Sequence, residues 1–439
     1  MLPSLLTAIP GPRSLALAEK LRRYESRNVT YLAEDFPVFW ERAAGTNVWD
    51  ADGNRYLDLT SAFGVSSLGH TDPGLQQALV EQSGILMHAM GDVHPTALKA
   101  ELCARLSALT FERWGDGTAK TVLSNSGSDA VETALKTSLL RTGRPGVLAF
   151  RGGYHGLGMG ALSAVGLPFF REPFGAQLKE FATLLPYPRR MDELDSLRGE
   201  IEEILRQNEI GCILVEPIQG RGGCVVPPQE FLPMLRTLCD AHGLLLVLDE
   251  IYTGFNRTGT LFACEHSKVV PDLICLGKAL TGGFPLSACV GRASVMDAWP
   301  LSGGEALHTS TFLGNPLGCA LALTSLKEHG EPEMTEKVTA TGAKLRATLA
   351  GISSPYIREI RGRGLLLGVE LVDAQGQPYT ALAIAIIKQA LRDGIIHLAD
   401  SPTANVLSFT PPFLIDEAEI AFVASRLQEY LTLLPGSIS

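Results

Sequence analysis

The chain has 439 residues and a net charge of −10, and 46% of its residues are apolar while 19% are charged. This globular composition excludes bulk disorder, and the acidic balance argues against a nucleic-acid or anionic-membrane surface. The length is too great for one ordinary core and predicts two domains.

The sequence also predicts the cellular compartment of the protein. Residues 1–6 lack a basic n-region and a sustained apolar run, so no signal peptide is expected. No apolar run approaches the roughly 20 residues of a membrane span. The eight cysteines are scattered without a C-x-x-C pair, which indicates buried, reduced cysteines of a cytoplasmic protein and no metal site.

The first 70 residues carry helix and hairpin signals. Residues 14–24 have helical spacing, and residues 48–59 predict two short strands around an Asp-Gly turn. From Pro73 onward, helical patterns alternate with short apolar strands. That alternation is typical of a parallel sheet covered by helices.

A turn rich in hydroxyls and glycine, Ser-Asn-Ser-Gly-Ser at residues 124–128, separates a predicted strand from a predicted helix. Ser126, with Asp129 three residues later, resembles a capping box. Helix N-termini offer free N–H groups and the positive end of the helix dipole, so they bind anions. The turn therefore predicts either an anion cradle or a plain N-cap.

Two further apolar runs predict buried strands that end beside polar residues. Residues 147–150 lead into Gly-Gly-Tyr-His-Gly at residues 152–156, and residues 212–215 end on Glu216. Between these strands, residues 167–195 contain four prolines. This segment is expected to be a loop-rich excursion on the surface.

The run Leu-Leu-Leu-Val-Leu at residues 244–248 predicts a strand buried on both faces, and it ends on Asp249. A second apolar strand at residues 272–276 runs into Lys278. Side chains at the carboxyl ends of such strands lie where open α/β sheets bind ligands. Asp249 could instead cap a helix, and Lys278 could be a surface lysine. A desolvated lysine, however, has the lowered pKa that Schiff-base chemistry needs.

The C-terminal part predicts an α+β domain. A helix is expected at residues 316–328, and further helices near 333–350, 380–393 and 416–433. The run at residues 365–371 predicts a strand.

Together these motifs resemble a known family. Leu-Asp-Glu-Ile-Tyr-Thr-Gly-Phe-Asn-Arg-Thr-Gly at residues 248–259, followed by Lys278 in Leu-Gly-Lys-Ala-Leu-Thr-Gly-Gly-Phe-Pro, is similar to the signature of class III pyridoxal-phosphate (PLP) aminotransferases. This group contains the ornithine and 4-aminobutyrate aminotransferases, and the resemblance covers nearly the whole chain.

The resemblance implies the α/β architecture of fold type I. The large PLP-binding domain, residues 71–330, would hold a mainly parallel seven-stranded sheet covered by helices. A smaller α+β domain would be built from both termini, residues 1–70 and 331–439. The resemblance also implies a homodimer, or a tetramer, with shared active sites.

It also implies roles for individual residues. Lys278 would hold PLP as a Schiff base and move a proton between substrate and cofactor. Asp249 would keep the pyridine nitrogen protonated. Tyr154 would stack on the ring, with Ile251 on its other face, and Tyr252 would lie beside the phenolic oxygen.

Further residues complete the implied site. Ser126, Gly127 and Ser128 would cradle the phosphate, and Thr311 would reach the phosphate of the neighbouring subunit's cofactor. His155 would support the site, and Glu216 fits the family pattern. Phe63, in the glycine-containing segment before the large domain, would be a wall of the substrate entrance or a packed aromatic.

The sequence departs from the family at two substrate positions. Where the ornithine and 4-aminobutyrate branches have a glutamate paired with an arginine, this chain has Arg221 and Ser408. One hypothesis is that Arg221 takes over carboxylate binding, because a bidentate guanidinium suits that ligand. The alternative is that a nearby acid neutralises Arg221, which then touches no substrate.

The sequence thus predicts an aminotransferase that moves an amino group from an amino acid or ω-amine to an oxo-acid acceptor. A PLP-dependent racemase, epimerase or aminomutase is the alternative, because these enzymes share every cofactor motif. A non-catalytic protein of the same fold is the third possibility, against which the presence of both Lys278 and Asp249 argues.

Overall fold

The computed structural model describes residues 1–437. The chain forms two compact units, one of residues 1–72 together with the chain from residue 339 onward, and one of residues 73–338. Boundaries were expected at residues 70 and 330. The second division falls inside a helix, eight residues beyond the expected position.

The elements follow one another along the chain with few long interruptions. Residues 1–72 hold α1 (Pro12–Tyr24), β1 (Trp40–Ala44), β2 (Asn47–Asp50), β3 (Arg55–Asp58) and α2 (Ser61–Gly64). Residues 73–215 hold α3 (Pro73–Ser83), α4 (Ala97–Leu109), β4 (Ala119–Ser124), α5 (Gly127–Thr142), β5 (Gly146–Phe150), α6 (Met159–Ser163), α7 (Pro168–Arg171), β6 (Ala182–Leu185), α8 (Leu194–Gln207) and β7 (Ile210–Val215).

The remaining elements complete the second unit and return to the first. Residues 216–331 hold α9 (Phe231–His242), β8 (Leu245–Asp249), β9 (Leu273–Leu276), β10 (Ser287–Arg292), α10 (Ala293–Met296) and α11 (Pro316–His329). The rest are α12 (Pro332–Ala350), β11 (Ile357–Arg363), β12 (Leu366–Leu371), α13 (Thr380–Arg392), β13 (Ile395–Ile396), β14 (Leu398–Asp400), β15 (Val406–Phe409) and α14 (Glu417–Leu433).

A seven-stranded sheet with the order β4-β10-β9-β8-β7-β5-β6 forms the middle of the second unit. Only β10 runs antiparallel to its neighbours, so the predicted mainly parallel sheet is confirmed. Within β8, Leu246 and Leu248 pack into one apolar cluster while Leu245 and Val247 pack into another. Because successive side chains point to opposite faces, an apolar run without polar alternation marks a strand covered on both sides.

The segment at residues 167–195 has more regular secondary structure than the loop-rich excursion that was expected. It contains α7 and the edge strand β6, which pairs in parallel with β5 alone. A four-residue strand followed directly by prolines carries little local signal, since its hydrogen bonds come from a distant partner.

The first unit holds two smaller sheets, with the orders β1-β2-β3-β13 and β11-β12-β15-β14. The predicted hairpin is formed by β2 and β3. Its next element, α2, is a single turn in which Ser61, Ala62, Phe63 and Gly64 all have positive φ angles, between 47° and 78°. Within residues 1–437, no helix is both long and apolar enough to cross a bilayer.

Candidate active site

A cavity of about 370 Å³ lies in the second unit, where several strands of its sheet end. Glu216 follows β7, Asp249 is the last residue of β8, and Lys278 comes two residues after β9. The lining residues are Ser126, Gly127, Ser128, Tyr154, His155, Gly156, Leu157, Glu216, Arg221, Asp249, Ile251, Tyr252 and Lys278. The carboxyl ends of parallel strands are the usual ligand position in such sheets.

Asp249 is held by two hydrogen bonds in a nearly dry place. His155 Nδ1 donates to its Oδ2 at 2.8 Å, and the Ile251 N–H donates to its Oδ1 at 3.1 Å. Burial works against a charge on His155, but the hydrogen bond that His155 donates to Asp249 and the charges of Asp249 and Glu216 raise the pKa of His155. His155, which was predicted to support the site, thus contacts Asp249 directly.

Glu216 is a second buried carboxyl group in this lining. Its oxygens accept the N–H groups of Tyr154 at 3.0 Å and Gly220 at 3.2 Å. Burial raises the pKa of Glu216 to about 7, with the charge of Asp249 acting in the same direction. Glu216 therefore changes its charge near neutral pH.

Lys278 stands at the start of a short 3-10 turn, in the left-handed region with φ 45°. Its Nζ lies 4.6 Å from the centroid of the Tyr252 ring. That ring packs on Gly220, where a Cβ atom would lie 2.2 Å from it. A non-glycine residue with positive φ is uncommon outside functional sites, because the surrounding structure must hold it there.

The turn before α5 forms an open helix N-terminus. Ser126 is the N-cap, and its hydroxyl accepts the Asp129 N–H at 3.2 Å. A Cβ on Gly127 would lie 2.8 Å from Ile251, and a Cβ on Gly156 would lie 2.5 Å from Ser128. The plain N-cap is therefore present, and Ser126, Gly127 and Ser128 at this helix N-terminus line the cavity.

Arg221 is exposed at the cavity and lies against two aromatic rings. Its guanidinium carbon is 5.6 Å from the centroid of Tyr154 and 5.7 Å from that of Phe170. Burial raises the pKa of the Tyr154 hydroxyl, and the charge of Arg221 opposes that rise.

Three predicted residues are not part of the cavity lining. Thr311 is exposed in a loop, next to Ser310, whose hydroxyl accepts a hydrogen bond from Asn125 at 2.8 Å. Phe63 belongs to the first unit, in α2, with 56% of its surface exposed. Ser408 also belongs to that unit and is buried in β15.

Two lining residues, Gly156 and Leu157, were missed from the sequence. The available signal was the repetition of glycine at alternate positions from residue 156 to residue 160, which indicates close backbone approach. Phe170, which contacts Arg221, was missed because it lies in the segment expected to be loop.

The lining fits the cofactor that the family resemblance implies. It offers an anion site at the start of α5, an amine on Lys278, a carboxylate on Asp249, and the flat or apolar side chains of Tyr154 and Ile251. The space next to the first turn of α5 exists because Gly127 and Gly156 carry no Cβ.

Comparisons with known proteins identify the family of this chain. The family model described as aminotransferase class-III matches residues 30–431. An acetylornithine aminotransferase of Methanopyrus kandleri is 36% identical over 401 residues, covering 90% of this chain and 95% of the relative. The 4-aminobutyrate aminotransferase GabT of Escherichia coli is 35% identical, covering 88% of this chain and 91% of the relative.

Solved structures are similar over the same length. An amine transaminase from an uncultivated Pseudomonas species, described as PLP-bound, matches with a TM-score of 0.86 and 29% identity, covering 93% of this chain and 98% of that one.

Proposed function

The chain belongs to the class-III aminotransferase family and is a PLP-dependent aminotransferase, and we propose that amino transfer takes place in the cavity that Lys278 and Asp249 share. The observation that carries this proposal is that one amine and one buried carboxylate, from the ends of neighbouring strands, line the same 370 Å³ space. Residues 71–330 are proposed as the cofactor domain, and both termini as the smaller domain.

When bound, PLP supplies an electron-withdrawing ring that stabilises negative charge beside the reacting nitrogen. Asp249 would keep a proton on the ring nitrogen, because a carboxylate in a dry place stabilises a facing positive charge. The first N–H groups of α5, with Ser126, Gly127 and Ser128, would hold the phosphate. Tyr154 and Ile251 would pack against the ring, and Tyr252 would lie beside its oxygen.

Lys278 would provide the amine for covalent attachment of PLP and would then move a proton between the substrate and the cofactor. Its left-handed backbone, after Gly277, aims the side chain from the end of β9 into the cavity.

The test is borohydride reduction of the holoenzyme followed by peptide mapping. We expect the added cofactor mass on the peptide that contains Lys278, and we expect Lys278→Ala to lose both this mass and the spectral response to amines. Lys268→Ala is the matched control, because Lys268 is another left-handed lysine that lies outside the cavity lining. A tag on any other lysine overturns the assignment.

The family and the named relatives favour net transfer over the racemase, epimerase or aminomutase alternative. They equally disfavour a non-catalytic protein of the same fold. A donor amine added without acceptor should yield one equivalent of oxo or aldehyde product per site. Isomerised product with its nitrogen retained is the result expected of the alternative.

For the substrate, the proposal is an amino acid or ω-amine whose carboxylate binds Arg221, with an oxo acid as acceptor. Acetylornithine and 4-aminobutyrate, after which two relatives are named, both carry a carboxylate. Arg221 lies on Tyr154, so its guanidinium stands next to the proposed ring-stacking residue. Ser408 and Phe63 keep their predicted roles in substrate recognition as part of this proposal.

Arg221→Ala should raise KM for carboxylate donors at least about tenfold while leaving amines without a carboxylate unaffected, since a charge-assisted hydrogen bond contributes about 1.5–3 kcal/mol. Arg189→Ala, which also removes an exposed arginine, serves as control. A KM for carboxylate donors that is the same in Arg221→Ala and wild type supports the alternative, in which Arg221 touches no substrate.

A homodimer completes the proposal, with Thr311 reaching the phosphate bound by the other subunit. Two segments of the second unit pack together and expose apolar side chains. Thr309 Oγ1 donates to Asp92 at 2.8 Å, and the rings of His88 and Phe312 lie 5.4 Å apart. The exposed apolar members of this surface, called here the 85/312 surface, are Ile85, Met87, Met90, Val93, Leu307 and Phe312. A cytoplasmic location stays a prediction from the cysteine pattern.

A further inference from the structure

His155 is held from its Nδ1 side by Asp249. The 2.8 Å hydrogen bond between them lies in a site where both side chains are almost completely buried. Because a carboxylate only accepts, the Nδ1 atom carries the proton in this contact. The other nitrogen, Nε2, therefore decides whether the ring is neutral or an imidazolium.

The Nε2 side of His155 lies near the second carboxyl group without a direct hydrogen bond to it. A Cβ on Gly153 would lie 3.0 Å from His155 Nε2 and 3.7 Å from Glu216 Oε2. These two atoms thus border the same small space, which exists because residue 153 has no side chain. The Tyr154 and Gly220 N–H groups fix the Glu216 carboxyl group in this position.

The electrostatics agree with this row of Glu216, His155 and Asp249. Burial raises the pKa of Glu216 to about 7, while the charge of His155 lowers it. Despite burial, the two carboxyl groups raise the pKa of His155. The change of charge near neutral pH therefore belongs to Glu216 and His155 together and not to either residue alone. Other titratable or charged side chains lie beside the row. They are Tyr187 near Glu216, Cys275 near Asp249, and Tyr154, Arg221, Tyr252 and Lys278 around the cavity.

We infer that Glu216 is a positioning residue for Asp249 that acts through His155: its carboxylate keeps a proton on His155 Nε2, and the resulting imidazolium holds the Asp249 carboxylate ionised and oriented. Its consequence for catalysis rests on the proposed function, in which Asp249 faces the ring nitrogen of PLP. When Glu216 takes up a proton, the imidazolium of His155 loses the negative charge that stabilises it. The hydrogen bond from His155 to Asp249 then weakens.

The first test uses the apo-protein and needs no cofactor. With ¹⁵N-labelled histidine, NMR follows the titration of His155, assigned with His155→Gln. In Glu216→Gln the midpoint of His155 should fall by roughly one to two pH units, the usual effect of a nearby opposite charge. Glu216→Asp, which keeps the charge, should recover part of that shift. An unchanged midpoint in folded Glu216→Gln overturns the inference.

Glu250→Gln is the matched control. Glu250 is equally buried and its pKa is also raised to about 7 by burial, but its oxygens accept N–H groups from Ala263 and Cys264 and it does not line the cavity. It should leave His155 unchanged. If Glu216→Gln fails to fold, ¹³C NMR of the wild-type carboxyl groups decides instead: a Glu216 signal that titrates near pH 4 and independently of His155 overturns the inference.

The holoenzyme supplies a second readout. The pH midpoint of the bound cofactor's absorbance and of kcat should shift in Glu216→Gln, with KM for the amine donor unchanged. A merely structural role would alter stability without moving these midpoints. The borohydride test at Lys278 reports separately on the proposed function, because the apo-protein titration of His155 succeeds or fails whether or not Lys278 holds PLP.

Discussion

At the scale of single residues, the site depends as much on absent side chains as on present ones. Gly127 and Gly156 leave the first turn of α5 open, Gly153 leaves space between His155 and Glu216, and Gly220 lets Tyr252 pack beside Lys278. Each of these glycines lies next to a residue with a proposed chemical role. Close approach of backbone to ligand is a common reason for glycine at such positions.

Gly127→Ala should weaken PLP binding by on the order of tenfold, because the new methyl would lie 2.8 Å from Ile251 and displace it towards the cofactor. Affinity is measured by fluorescence titration of the apo-protein. Gly199→Ala in α8 is the control, since a Cβ there meets nothing within 4 Å. Equal affinity in Gly127→Ala and wild type would show that the turn does not face the phosphate.

His397 should make the protein sensitive to acid. Burial lowers the pKa of His397 to about 4 in the folded chain, against about 6.5 when unfolded. Between these values the unfolded chain binds more protons, so the free energy of unfolding falls as pH falls, by roughly 2 kcal/mol between pH 6.5 and 5. Among the residues described, the Nε2 atom of His397 has no hydrogen-bond partner, which adds to the free-energy cost of burying this ring.

His397→Leu should remove this share of the acid destabilisation, as measured by urea unfolding at pH 7.5 and 5.0. The exposed His242 gives the control variant His242→Gln, which should keep the wild-type dependence. If His397→Leu loses as much stability as wild type on acidification, the buried histidine is not the cause.

At the scale of elements, α2 is the most strained segment. Four consecutive residues, Ser61 to Gly64, have left-handed φ angles, which cost roughly 1–2 kcal/mol for each residue with a side chain. The buried Asp58 compensates: it accepts the Thr60 N–H at 2.8 Å and the Thr60 hydroxyl at 2.6 Å, and it bonds His70 at 2.8 Å. This turn displays Phe63, a proposed substrate contact, at the protein surface.

Ala62→Gly should stabilise the protein by about 1 kcal/mol, because glycine adopts the left-handed region without a steric penalty. The same change at Ala343, an exposed residue inside α12, should instead cost about 1 kcal/mol through lost helix propensity. Urea unfolding of both variants measures the contrast. A loss of stability in both would mean that the backbone at Ala62 is not strained.

At the scale of the whole molecule, the 85/312 surface sets the expected assembly. Its apolar side chains are 56–77% exposed, and they occur on two segments that pack together. Contiguous exposed apolar side chains of this kind mark interfaces. Ser310, within the second segment, is hydrogen-bonded to Asn125 next to the N-cap of α5. A partner on this surface would therefore lie beside the proposed phosphate site.

Met90→Glu should shift the proposed dimer, twice 47.0 kDa in mass, towards the monomer and weaken association at least about tenfold, because it buries an unpaired charge. Sedimentation velocity over a concentration series measures the shift. Met191→Glu is the control, with a methionine exposed to the same degree outside this surface. A Met90→Glu protein that stays dimeric at nanomolar concentration would place the interface elsewhere.

Local patterns in the sequence were enough for the main elements and the chemical residues. The apolar runs of β7, β8 and β9 predicted buried strands, and Glu216, Asp249 and Lys278 followed from their places after those strands. The strand signal is local, because a strand covered on both faces needs apolar side chains at every position. The hydroxyl-rich turn before α5 was predicted for the same reason, since helix capping involves only a few consecutive residues.

Only the tertiary structure decided the contacts between distant parts of the chain. His155 and Asp249 are 94 positions apart, and Tyr154 and Glu216 are 62 apart, yet each pair shares a hydrogen bond. Strand β6 and the stacking of Arg221 on Phe170 depend likewise on partners that no local pattern names. The sequence by itself thus determined which chemical groups the protein carries and on which elements. The pairing of the strands, set by packing across the sheet, decided which of these groups meet and therefore which carry shifted pKa values.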